Sequence, residues 1–521
     1  MAPDPVDLIL PSSLDRAAAV ALLHERLELV DGRPRTSDRT LLDSFDGRLR
    51  AAGLRAERPA GRGAGLELHE AGAPVRRAAV RRAKRLLITE LPEGAVRERL
   101  APVLEERALL PAVRVRSGVQ PLAVVDGDRK TVVRLEIEHP QLIAAGGKAI
   151  ALKPRLEVRP VLGYDRAYER TVATLRDELG LEPAKRPLYD EAVRKAGGRP
   201  GGIATKVRAE LARGTSTDAA AALVLGRLHE VAEANLPGTI DDLDPEFLHD
   251  LRVSIRRARS VLRELKDVHE PEARAHVRDE LKWAQALTGP VRDLDVQLLE
   301  WPELAAHVGD VRAAELEPLR SLLAARRERE RAKLARGLRG RRFRATLRAW
   351  QALAAEPTGP GKDAGKPIEA TAGERIAKVL ARMLKDGRKI DGESPPEALH
   401  DLRKRGKELR YLLELFGAVF DEGAVDPLVA GLKHLQKVLG RFQDRAVQVE
   451  TLRDMRHDLA AQPEGPLALI ALGPVLDALL ADQEAAPCGS RSHSTVRSPS
   501  RAASAATLTA ADVLPTPPLI E

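Results

Sequence analysis

The chain writes one phrase twice. Residues 245–265 read PEFLHDLRVSIRRARSVLREL and residues 396–416 read PEALHDLRKRGKELRYLLELF. A shift of 151 residues carries His249 onto His400. The same shift carries LKWAQALTGPVRDLDVQ, from Leu281, onto LKHLQKVLGRFQDRAVQ, from Leu432, with Gly289 on Gly440 and Asp293 on Asp444. Two blocks held in one register mean that about 205–485 is two copies of a module, repeat one over about 205–355 and repeat two over about 370–485. Two copies in one chain suggest a pseudo-twofold arrangement.

The phrase itself predicts a helix entered through Pro245 or Pro396. His249, Arg252, Arg256, Arg259 and Arg263 lie 3, 4, 3 and 4 residues apart and so share one face. In the second copy His400, Arg403, Lys407 and Arg410 keep the 3, 4, 3 spacing before Glu414 interrupts it. Beside each row runs an apolar stripe, Leu248, Leu251, Ile255, Ala258, Leu262 and Leu265 in the first copy, and Leu399, Leu402, Leu409, Leu413 and Phe416 in the second. Cations pressed against a core edge are held in place. Successive members of the row are only about 5 Å apart along the axis, and like charges so placed repel by a few tenths of a kcal/mol per pair. A repeating anion between the copies relieves that repulsion. Arginine offers a planar fork for phosphate oxygens, and an imidazole adds a donor whose charge depends on pH. A structural role for the two histidines, bonding a carbonyl or Asp250 and Asp401 at the helix start, stays open. A further segment, residues 320–348, holds twelve Lys or Arg against two Glu. Its cluster Arg341, Arg342 and Arg344 extends the expected anion surface.

Composition narrows the setting. With 521 residues there is room for two or three domains, and with aromatics at 2% Leu, Val and Ala must fill the cores. A single cysteine, Cys488, excludes an intrachain disulfide and suits a reducing compartment. The opening MAPDPVDLILPSSLDR lacks a basic leader followed by an apolar run, and no stretch reaches the length of a membrane span, so a cytoplasmic location is expected. The net charge of +8 sits mostly in the first 200 residues, while the repeated half is nearly neutral. Anion binding there must rest on the pattern of charge.

Residues 1–195 carry strand-like runs, RLLITEL, TVVRLEIEH and RLEVRPVLG, with helical stretches at 94–108 and 165–180, and read as an α+β domain. AGGRPGGIA (196–204) has linker composition, and residues 356–373 break the helical half between the repeats. Residues 487–521 have no periodicity and read as a disordered tail, either natural or the product of a shifted reading frame near Pro487.

With its LHDLR motifs and the later LKWAQALTGPVRDLD and LKHLQKVLGRFQD, the stretch 205–485 resembles the CHAD family. The resemblance implies an all-α domain of two pseudo-twofold-related four-helix bundles and a basic cleft with a histidine from each half that binds inorganic polyphosphate. Carried over by position, the cleft holds His249 and His400 with Arg252, Arg256, Arg259, Arg403, Lys407 and Arg410; Lys378, Arg382 and Lys385 on the preceding helix face the same cleft. Residues 41–72 are similar to the CYTH family, a β-tunnel that holds triphosphates, whose opening strand carries Glu-X-Glu-X-Lys. Here that place reads VDLILPS, with Asp7 alone, and LEVRPV sets Arg159 after Glu157; only Glu136 and Glu138 keep an acidic pair on one face. Too few carboxylates stand ready to cage a divalent ion. Arg48, Arg55, Arg58, Lys130, Arg134 and Lys153 leave the tunnel an anion-binding or structural role. GPGKDAGKP fails as a phosphate loop because Pro360 and Pro367 occupy its key positions, and no His-Glu-X-X-His or Cys-X-X-Cys pair suggests a metal. The expectation is a polyphosphate-binding protein of polyphosphate granules, without cofactor or metal. A metal-dependent triphosphate hydrolase and a nucleic-acid backbone binder are the alternatives.

Overall fold

A computed structural model describes residues 3–485, apart from 62–64, 82, 204–206, 208–209, 308–312, 356–359 and 391–393. The tail expected at 487–521 lies outside the described residues. The chain divides into two compact units, Met1–Ala204 and Thr205–Glu521.

Among the described residues the first unit is one antiparallel sheet of eleven strands: β1 (Val6–Ile9), β2 (Leu29–Asp31), β3 (Arg35–Asp43), β4 (Leu54–Pro59), β5 (Leu66–Glu70), β6 (Arg76–Ala78), β7 (Leu110–Val125), β8 (Thr131–Ile143), β9 (Ala149–Ala151), β10 (Arg155–Pro160) and β11 (Glu182–Pro183). Its order is β11-β1-β10-β8-β7-β3-β4-β5-β6, with β2 added to β7 and β9 to β8. Alternation along β8 sets Val133, Leu135 and Ile137 on the outside, where they pack with Tyr168 of α4 (Asp165–Ala173) and Ala19 and Leu23 of α1 (Arg16–His24). The other face turns Glu136 and Glu138 inward. A short α2 (Arg48–Ala51), α3 (Ala95–Leu104) and α5 (Leu188–Lys195) cover the rest of the outer surface. The sheet curls until Arg55 on β4 lies within charge range of Asp7 on β1, giving the tunnel-like form. RLLITEL is not a strand: Leu86 makes one bridge to Leu109 and Ile88–Glu90 winds into a 3₁₀ turn closed by Glu90 on the Leu87 amide. The Gly-rich 196–203 belongs to the first unit. At Gly202, φ is +66° and a Cβ would meet the Phe45 carbonyl oxygen at 1.9 Å, so only glycine fits.

The second unit is helical: α6 (Thr217–Ile240), α7 (Pro245–Glu264), α8 (Pro271–Leu287), α9 (Gly289–Leu299), α10 (Trp301–Ala306), α11 (Glu317–Arg339), α12 (Arg341–Ala355), α13 (Ile368–Gly387), α14 (Pro396–Phe416), α15 (Glu422–Asp454), α16 (Arg456–Ala460) and α17 (Gly465–Ala485). The 151-residue shift relates α6 to α13, α7 to α14, and α8 with α9 to α15. Pro290 separates α8 from α9, whereas its counterpart Arg441 lets α15 run 33 residues unbroken. Asp244 caps α7 by accepting from the Glu246 and Phe247 amides, with Pro245 in the first turn.

Helices α6, α7, α8 and α12 form a four-helix ring in which α6 touches α7, α7 touches α8, α8 touches α12 and α12 closes on α6. Hence α7 and α12 occupy opposite corners. Gly238 lets α6 and α7 approach; a Cβ there would stand 2.2 Å from the Phe247 ring. Another apolar cluster belongs to both repeats. Leu316, Leu319 and Leu323 of the first pack with Leu452, Met455, Leu472 and Leu479 of the second. The shift would place the counterpart of α12 at 492–506, outside the described residues.

Candidate functional site: a basic track on the duplicated helices

The two duplicated helices meet directly. Arg257 of α7 lies 2.6 Å from Glu414 of α14, and Arg263 lies 2.8 Å from Glu408. An early residue pairs with a late one in each case, so the helices run antiparallel. Their midpoint falls at Ser260 and Tyr411, equivalent under the shift and both buried.

That crossing fixes where the rows go. At 3.6 residues per turn, His249, Arg252, Arg256 and Arg259 lie roughly 90° around α7 from the face formed by Arg257, Ser260 and Glu264. A twofold relating two antiparallel neighbours runs normal to the pair and keeps each row on the same side. His249 and His400 each stand eleven residues from the crossing, or about 16 Å at 1.5 Å per residue. The histidines therefore mark opposite ends of a track of roughly 33 Å and share no single pocket.

Most row members are half-buried. Arg252 donates from Nη1 to the Gln285 carbonyl at 3.1 Å and to Thr288 Oγ1 at 2.8 Å. Burial, with Arg256 and Arg292 nearby, pushes its pKa down to about 10 against the pull of Asp293. Arg259 donates to the Gln285 side chain; burial first, then Arg263 and Arg278, lower it as well. In both, burial outweighs the counter-charge within reach, Asp293 for Arg252 and Asp279 for Arg259, and an incoming anion would add to it. Arg256 is half-buried with a buried Nε that makes no hydrogen bond. In the second copy His400, Arg403 and Lys407 are half-buried, and Arg410 sits over the Tyr411 ring at 5.4 Å with Glu414 at 3.8 Å.

Arg263 and the cluster Arg341, Arg342 and Arg344 separate from this track. Arg263 belongs to the seam between the repeats, bonded to Glu264 and Glu408. Lys378, Arg382 and Lys385 are exposed along α13 at 4, 3 spacing. Arg342 pairs with Glu280 at 2.9 Å and stacks on Trp283 at 4.2 Å, tying α12 to α8. Arg341 and Arg344 point out from α12, across the bundle from α7.

Sequence reading passed over Gln285 and Thr288, which orient Arg252 and Arg259. Gln285 had a visible signal: the shift carries it onto Gln436, inside the second repeated block. Thr288 had none, since its counterpart is Leu439. Also missed were the acids of the seam. Glu264 and Glu408 hydrogen-bond each other beside Arg263; burial, then Glu264, pushes Glu408 up to about 8, while Arg263 helps hold Glu264 down against burial.

Among the described residues two groups have metal-ligating composition: Glu246, His249 and Asp250 at the start of α7, and Glu57, Glu67 and His69 in the sheet unit. The second is ringed by cations, with Arg39 and Arg55 on Glu57 and Arg77 on Glu67, which compete with any metal. Elsewhere in the tunnel the surviving acidic pair is likewise bound to arginine, Glu136 to Arg35 at 2.9 Å and Glu138 to Arg39 at 2.6 Å.

Residues 223–453, which contain both copies of the LHDLR helix, match the family model described as "CHAD domain". The chain carries a CHAD domain. Over 235 residues it is 29% identical to an uncharacterized protein of Mycobacterium tuberculosis, found in two strains, and the match covers 42% of this chain. The matched part spans 42% of the length of those curated relatives. The chain is similar to the crystal structure of the CHAD domain from the plant Ricinus communis, at TM-score 0.43 and 23% identity, covering 54% of this chain and 96% of that one. PptA from Streptomyces chartreusis is similar at TM-score 0.40 and 20% identity, covering 52% of this chain and 96% of its own. Among the described residues no helix is long and apolar enough to cross a membrane.

Proposed function

We propose that the CHAD domain binds inorganic polyphosphate along the track that runs from His249 through Arg252, Arg256 and Arg259 to Arg410, Lys407, Arg403 and His400, and that this binding brings the protein to polyphosphate granules. The observation that carries the reading is the antiparallel crossing of duplicated helices, which lines up half-buried cations at helical spacing on one side. An extended polyanion with identical charges along its length fits such a track because it needs no base recognition. Single-stranded nucleic acid would seek aromatic stacking platforms, and the one aromatic at the crossing, Tyr411, is buried.

The test is equilibrium binding of the full chain to long polyphosphate against duplex DNA and tripolyphosphate, at two salt concentrations. For each phosphate that a variant no longer neutralises, the slope of log K against log salt should fall by about 0.7–0.9. An Arg252→Ala, Arg256→Ala, Arg403→Ala, Lys407→Ala variant should lose polyphosphate selectively. Equal loss of DNA binding, or no loss of either, would overturn the reading.

A further inference from the structure

A second basic surface lies across the bundle from the track. On α11 Arg326, Arg329, Lys333 and Arg336 are exposed at 3, 4, 3 spacing. On α12, beyond the Gly340 corner, Arg341, Arg344 and Arg348 are exposed at 3, 4 spacing. Lys333 pairs with Glu330, but among the described residues the six arginines make no hydrogen bond or ion pair. Other arginines of the same two helices are engaged: half-buried Arg327 bridges Asp242 and Asp295, and exposed Arg342 holds Glu280. Phe343 and Trp350 are buried beneath α12, so this face offers cations and no stacking platform. It fits a polyanion recognised by charge alone.

Because α12 and α7 stand at opposite corners of the four-helix ring, one stretch of polymer lying on the track does not pass along the outward face of α12. We propose that the α11–α12 face is a second polyphosphate track, so that one molecule bridges two polymer chains. This rests on the reading of the first track as a polyphosphate site and adds a consequence to it. Two separate tracks make the protein a cross-linker, able to draw many chains together without any protein oligomer.

The test compares the wild-type full chain with a face variant, Arg326→Ala, Arg329→Ala, Arg341→Ala, Arg344→Ala, Arg348→Ala, and with the track variant above, each checked for fold by circular dichroism. Calorimetry with a short polyphosphate gives the number of chains bound, and light scattering with a long one gives cross-linking. Wild type should bind two short chains; the face variant should bind one, with its remaining affinity within about twofold and its scattering reduced at least about fivefold. One short chain per wild-type molecule, or scattering unchanged in the face variant, overturns the second track while the first stands. Full binding retained by the track variant overturns the first reading and the bridging with it. No binding by wild type overturns both.

Discussion

Arg257 faces Glu414 at 2.6 Å, and the mate of that pair under the 151-residue shift is Glu408 facing Arg263 at 2.8 Å, the same bridge with its charges exchanged. A faithful duplicate would have set like against like. Two first repeats would oppose arginine to arginine, and two second repeats glutamate to glutamate, so the seam favours one unlike pair. Glu414, which interrupts the second basic row, is therefore a seam residue.

Arg257→Glu should destabilise the helical unit by about 3 kcal/mol, because it leaves Glu414 without its cation and adds a second acid. Arg257→Glu with Glu414→Arg should recover much of that loss. All three tryptophans, Trp283, Trp301 and Trp350, lie in this unit, so urea unfolding followed by tryptophan fluorescence reads it alone. A double variant no more stable than the single one would rule out a charge-matched seam.

The seam also titrates. Glu408 is raised from an ordinary glutamate value to about 8, so the folded chain holds a proton that the unfolded chain releases. Its contribution to stability is fully present below about pH 4.5, falls as pH rises, and is lost above about 8. Thermal melts of Glu408→Gln should vary less between pH 6 and 9 than those of wild type, and the variant should melt higher at pH 9. The same slope in both would assign the pH dependence elsewhere.

Thr288 is fully buried, accepts from Arg252 and donates to the Gln285 carbonyl. Thr288→Val keeps its shape and removes both bonds, at a cost of about 1–3 kcal/mol in stability. It should also weaken polyphosphate binding as Arg252→Ala does, although it carries no charge. Salt dependence separates the causes: with Arg252 still present, the slope in Thr288→Val should stay near that of wild type.

The helical half and its internal repetition were legible because helical periodicity and repetition are properties of a linear string. Orientation was not. That Arg263 looks into the seam, and Arg341 and Arg344 away across the bundle, depends on which helices become neighbours, and one residue's spacing carries no trace of that. The sheet unit shows the same limit from the other side: the acidic pair Glu136 and Glu138 stood out, but Arg35 and Arg39, which bind them, lie about a hundred residues earlier on β3.

In that unit burial alone would raise Glu138, but Arg39 and Ser117 hold it below the ordinary glutamate range. Its stabilising effect is present above about pH 4.5 and is lost as pH falls through the lowered folded value. Glu138→Gln should cost about 3 kcal/mol, since Arg39 is buried and loses one of the two carboxylates, Glu57 and Glu138, that pair with it among the described residues. Scanning calorimetry should place the loss in a transition that tryptophan fluorescence does not follow.

The apolar cluster that joins Leu316, Leu319 and Leu323 to Leu472 and Leu479 sets a delay during synthesis. The first three residues leave the ribosome roughly 150 residues ahead of their partners, which at 5–20 residues per second is about 8–30 s. Through that interval Leu316, Leu319 and Leu323 have only first-repeat members of the cluster, such as Leu294, Trp301 and Leu304, against them, and the leucines of the second repeat have yet to arrive. Until the helix Gly465–Ala485 emerges, that uncovered side is exposed to self-association and to capture by chaperones.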